Sequence, residues 1–315
     1  MGKRDFEEGV GGTFYHYTPP PPPIYPPPRE PYLSWLVPLI FMVDVGLFVY
    51  TMYENNCPET LTDFEQQCVF HEYLGRFSFE PLHINPLLGP TTPTLQKMGG
   101  LQLELLQNGE WWRLLSCLWL HAGAIHLIAN MISLLFMGIR LEEEFGFWRI
   151  GPLYVLSGLG GSLMSSIHSL RQERHAVVSV GASGALFGLL GAMLSELMTN
   201  WTIYANKCTA ITSLMLVIAL NLAVGLIPGV DSSAHIGGFI SGFFLGFVLL
   251  MRPQFGYVSN KYLPPNYAKR NRHKCYQYFF LLLALIALFL WYGYGITELL
   301  KSINKINMNY ISTIN

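Results

Sequence analysis

The chain has 315 residues, of which 51% are hydrophobic and only 12% charged, against roughly 25% charged residues in an average soluble domain. The formal net charge is -1, and no basic stripe interleaves with aromatics, which excludes a nucleic-acid surface. Five cysteines without a CxxC spacing exclude zinc-ribbon and thioredoxin-type sites, and the composition as a whole belongs in a bilayer.

Residues 1–33 are Pro-rich, with Pro19 to Pro23 and Pro26 to Pro28 forcing extended, polyproline-like backbone that cannot join a packed core. The segment reads as a solvated tail, with a docking site for a proline-recognising domain as the other reading. No cleavable signal peptide is expected, because the first apolar run starts near Trp35 and continues far enough to span. A myristoylation signal is not supported either, since Phe6 stands where Ser or Thr is required.

A span needs roughly 20 apolar residues. Seven candidates meet that length: 35–53, 114–139, 148–169, 176–198, 208–228, 233–252 and 276–296. The chain is therefore expected to be an all-α membrane protein whose termini face opposite sides. With the N-terminus in the cytoplasm, twelve Lys and Arg lie inside and seven outside, and the cluster from Lys269 to Lys274 carries most of that bias. The sequon Asn200-Trp201-Thr202 then faces the cytoplasm and stays unmodified.

The first loop, residues 54–113, is long for a compact bundle and holds Phe70, Tyr73, Phe77 and Phe79, so a folded cap on the membrane surface is expected. Cys57 and Cys68 share this loop, and spacing alone leaves their pairing open. Cys117, Cys208 and Cys275 are expected as free thiols.

Three spans carry polar residues that hydrocarbon penalises by several kcal/mol, roughly, unless they are paired. The second holds His121, His126 and Asn130; the fourth holds Ser183 in Val180-Gly181-Ala182-Ser183-Gly184; the sixth holds His235 in Ala234-His235-Ile236-Gly237-Gly238. All three enter the bilayer from the same face with these residues in their first halves. Ser183 is expected about seven residues into its span, roughly 10 Å deep at ~1.5 Å per residue.

Small-residue stripes then select the helix contacts. Gly181, Gly184, Gly188 and Gly191 face the requirements of close packing on the fourth span, as Gly238, Gly242 and Gly246 do on the sixth. Tight packing of these two helices brings Ser183 toward His235. A serine needs a base within hydrogen-bond reach, and histidine suits that role. Asp231 sits at the outer edge of the sixth span and Glu196 at the far end of the fourth, so a Ser183 and His235 dyad is expected rather than a triad. His126 and Asn130, four residues apart on one helix face, together with the backbone N–H of Ser183, would supply an oxyanion hole. His121 and Gly181 are expected to support the site, His121 from nearer the surface, where it lines an open, polar water path with Ser232 and Ser233. Glu142, Glu143 and Glu144 read as a solvated turn, with Glu142 tying neighbouring helices together as the other reading, and Asp44 has no evident partner.

Together these residues resemble the rhomboid family of intramembrane serine proteases, over about Glu110 to Gly246. The resemblance rests on Glu110-Trp111-Trp112-Arg113, on His121, His126 and Asn130, on Gly-x-Ser-Gly at Gly181 to Gly184, and on Ala234-His235-x-x-Gly238-x-x-x-Gly242. It implies a six-helix core bundle at 34–253, followed by a basic loop and a seventh transmembrane helix within 254–315. It also implies Ser183 as nucleophile, His235 as base, His126 and Asn130 at the oxyanion hole, and Trp112 and Arg113 shaping the lateral loop. Phe187, one turn after the serine, keeps a ring to stack on His235. The expected substrates are single-pass membrane proteins cut within or beside their spanning segments, with no cofactor or metal. The extra helix and cysteine-bearing loop look like plant members of the secretory pathway, in the Golgi or plasma membrane. The alternative is an inactive relative that binds transmembrane helices as a chaperone or trafficking factor.

Overall fold

The computed structural model describes residues 31–60, 67–173, 176–201, 204, 206–225, 231–253 and 273–314. The Pro-rich tail up to residue 30, Thr202 of the sequon and most of the basic cluster between 269 and 274 lie outside the described residues.

Among the described residues the bundle is built from seven apolar helices: α1 (Leu36–Asn55), α2 (Ala124–Phe145), α3 (Phe147–Arg171), α4 (Ser183–Thr199), α5 (Lys207–Gly225), α6 (Ser232–Leu249) and α7 (Cys275–Ile314). Among the described residues five helices are long and apolar enough to cross a membrane; the exceptions are α4 and α5. This is an all-α, multi-pass membrane protein.

At the centre, α4 packs on α6 with almost no side chain between them. A methyl group added at Gly242 would stand 2.0 Å from the carbonyl oxygen of Gly188, and one at Gly191 would stand 2.2 Å from that of Phe239. The small-residue stripes thus do what their spacing predicts, because backbone approach and dispersion, not water exclusion, drive helix contact in lipid. Around this pair, α3 contributes buried Ser157, Gly158, Gly160 and Gly161.

Two helix starts differ from expectation. The second span begins at Ala124 rather than 114, because Arg113–Ser116 forms one turn and Leu120 is extended. Leu114, Cys117, Leu118 and Leu120 are buried in protein, and hydropathy does not distinguish that from burial in lipid. The fourth begins at Ser183 rather than 176: Val178–Ser179 forms strand β2, antiparallel to β1 (Leu101–Gln102), and Gly181 has φ +132°, a backbone that side chains rarely adopt. The seventh helix runs to Ile314, well past 296.

Glu142 corrects a second expectation, for it is fully buried rather than solvated. Its carboxylate accepts the hydroxyl of Ser34 at 2.8 Å and the N–H groups of Trp35, Leu36 and Val37 at 3.0, 2.8 and 2.8 Å. The three N–H groups are orphan donors at the start of α1, where a negative charge also complements the positive end of the helix dipole. Glu142 therefore ties the start of α1 to the end of α2.

The first loop is folded. Cys57 and Cys68 are joined in a disulfide, which decides what spacing left open, and Cys117, Cys208 and Cys275 are free. Asn55 at the end of α1 donates to Glu80 at 2.6 Å and accepts from Thr91 and Thr94. Thr91 caps the loop helix Thr92–Met98. Arg113 closes the loop from within, donating to the carbonyls of Gln96 and Gly100 at 2.7 and 2.8 Å and to Glu110 at 2.8 Å, with its guanidinium over the Trp112 ring.

Candidate active site

Ser183 is the first residue of α4, at the end of the bundle where α2 and α6 also begin. The depth expected from seven residues of helical rise is therefore replaced by a helix terminus. This placement has a chemical consequence: the N–H of Ser183 lies in the first turn, with no helical carbonyl four residues earlier to accept it.

The close approach of α4 and α6 places Ser183 Oγ 2.8 Å from His235 Nε2. The ring of Phe187, one turn further along α4, stacks on the imidazole with centroids 4.3 Å apart and planes inclined by 13°. His235 is buried and Ser183 half-buried.

Ser183 opens into a cavity of about 310 Å³, lined on its polar side by Asn85, His126, Ser162, Ser179 and Asp231, and on its apolar side by residues such as Ile84, Leu95 and Leu118. His121, Ser232 and Ser233 do not line it, contrary to the expected water path. His121 is fully buried, edge-on to His126 with ring centroids 5.5 Å apart. It backs the site because the chain turns inward at Leu120 instead of entering the membrane there.

His126 faces Gly181 so closely that a methyl group on that glycine would stand 2.7 Å from its Cε1. The N–H of Gly181 is already given to the carbonyl of Cys117 at 2.9 Å, which pins the turn before Ser183. Asn130, one turn beyond His126, is buried with its side-chain NH2 unpartnered. Such a donor is costly unless something else uses it. A serine, an imidazole at hydrogen-bond distance, His126 at the wall of the same cavity and the unpartnered NH2 of Asn130 one turn further along α2 are groups of the kind that acyl transfer requires.

Residues 108–252 match a sequence model of the Rhomboid domain. The chain is also 55% identical to RHOMBOID-like protein 5 of Arabidopsis thaliana, over 86% of each chain, and 52% identical to RHOMBOID-like protein 1 of that plant, over 87% of this chain and 69% of the relative. The chain belongs to the rhomboid family. Rhomboids are in general intramembrane serine proteases, and relatives of this chain include the Rhomboid protease GluP of Bacillus subtilis, 36% identical over 47% of this chain and 28% of the relative. They also include Inactive RHOMBOID-like protein 8 of Arabidopsis thaliana, 40% identical over 74% and 63%.

Within this rhomboid site, one residue was undervalued by the sequence. Asp231 caps α6 through the N–H of Ala234 at 3.0 Å and accepts the hydroxyls of Ser165 and Ser179. Its position three residues before that amide is the ordinary spacing of an N-cap, which was the available signal.

Proposed function

We propose that this rhomboid is an intramembrane serine endopeptidase that cleaves transmembrane segments of other membrane proteins through a Ser183 and His235 dyad. The observation that carries this reading is the 2.8 Å contact between Ser183 Oγ and His235 Nε2 at the wall of a cavity. His235 takes the proton of Ser183 as Oγ attacks the scissile carbonyl. The resulting oxyanion is met by the N–H of Ser183 and by the side chains of His126 and Asn130. His235 then passes its proton to the leaving amine, and water, activated by the same imidazole, hydrolyses the acyl-enzyme and restores Ser183.

No acid is assigned to orient His235, because among the described hydrogen bonds its ring is joined to Ser183 and to no carboxylate. Ring stacking by Phe187 holds the imidazole instead. The N-terminus is cytoplasmic and the site faces the opposite side, a reading supported by the excess of Lys and Arg. A disulfide in the first loop agrees with a lumenal or extracellular location of that loop in the secretory pathway. The rhomboid core is taken as 34–253, with the basic loop and α7 appended and the Pro-rich tail ahead of it.

Co-expression with a single-span membrane protein tests the reading. Cleavage by the wild type, with loss in Ser183→Ala and in His235→Ala at equal expression, is expected. Undiminished cleavage by both variants overturns it and leaves the helix-binding alternative.

A further inference from the structure

One carboxylate joins the segments that carry Ser183 and His235. Asp231 stands four residues before His235, and its Oδ1 accepts the N–H of Ala234 at 3.0 Å. Its Oδ2 accepts the hydroxyl of Ser179 at 2.6 Å and that of Ser165 at 2.5 Å. Ser179 lies in β2, four residues before Ser183, and Ser165 lies in α3. The same carboxylate borders the cavity into which Ser183 opens. Among the described hydrogen bonds, none joins it to the imidazole of His235.

An N-cap alone would be served about equally by Ser or Asn. Two further hydroxyl donors from separate segments call for the several lone pairs of an ionised acid, whose hydrogen bonds are roughly twice as strong as neutral ones. Removing the acid therefore does more than fray α6. It releases β2, and with it the turn through Gly181 that delivers Ser183, from the helix that delivers His235.

We propose that Asp231 is a positioning residue, a latch that fixes the reach between Ser183 and His235 by holding β2 and α3 to the first turn of α6. The latch acts on segments of the chain and takes no part in proton transfer. It rests on the hydrolytic reading of Ser183 and His235.

The test is the rate at which a fluorophosphonate modifies Ser183 in the detergent-solubilised full chain, alongside its melting temperature. Asp231→Ala slows the reaction by about tenfold or more, a rise of about 1.4 kcal/mol in the activation barrier for each factor of ten. Asp231→Asn, which keeps acceptors for Ala234 and one hydroxyl, falls between that variant and wild type. Ser179→Ala also slows labelling, with a melting temperature close to that of the wild type. Should Asp231→Ala fail to fold, the Asn and Ser179 variants decide. Rates equal to wild type in both overturn the latch, as do rates that fall only in proportion to lost thermal stability. A wild type inert to the probe overturns the hydrolytic reading and the latch together, whereas a reactive wild type indifferent to these changes overturns the latch alone.

Discussion

Gly238 meets Gly184 backbone to backbone: a methyl group on Gly238 would stand 1.9 Å from the carbonyl oxygen of Gly184. The contact lies one residue past Ser183 and three past His235, so the spacing of α4 and α6 there sets the reach across the dyad. Gly238→Val is expected to force the helices apart at a cost of about 1–3 kcal/mol and to lower serine reactivity far more than it lowers expression. Gly46→Ala on α1, where an added methyl meets nothing within 4 Å, is the control and keeps its reactivity. Probe labelling of the two purified variants checks this.

Asn130 carries a buried, unpartnered NH2, a poor choice for stability and a good one for meeting a developing charge. Asn130→Ala is expected to lower kcat by about 100-fold while KM and melting temperature stay near wild type, as typical for one oxyanion donor. Steady-state cleavage of a transmembrane substrate gives the split. An unchanged kcat removes Asn130 from the site.

Glu142 satisfies four donors at the end of the bundle away from Ser183. Glu142→Ala leaves the N–H groups of the first turn of α1 buried without an acceptor, which is expected to cost about 2–4 kcal/mol. The melting temperature drops, while the labelling rate per folded molecule is retained. A variant that melts like the wild type refutes the capping role.

Cys57 and Cys68 close a short loop, with a sequence separation of 11 residues. On the chain-entropy account such a bridge contributes about 3 kcal/mol. Alkylation of the denatured chain is expected to find three thiols without reductant and five with it. Five in both conditions contradicts the bridge.

Most of the membrane fold was legible in the sequence because a bilayer demands long apolar runs, and glycine stripes record which backbones touch. Ser183, His235, His126 and Asn130 stood out for the same reason, as polar groups in places that need an explanation. Hydropathy failed where apolar residues are buried in protein rather than lipid. Leu114 to Leu120 therefore reads as the start of a span, and His121 as lying nearer the surface than His126. Position in the fold escapes it too: the apolar run counts the residues before Ser183 as helix, because hydropathy does not register the positive-φ turn at Gly181. Glu142 looked like a solvated charge because its four donors lie more than a hundred residues away in sequence. Asp231 was judged by its distance from the span centre, although its worth lies in the segments it joins.

The central claim is that His235 activates Ser183. Exposing the solubilised chain to a fluorophosphonate and mapping the adduct by peptide mass spectrometry tests it most directly. A single adduct on Ser183, abolished by His235→Ala with the fold intact, is the expected result. An unmodified Ser183 in the wild type, or full modification when His235 is replaced, would contradict it.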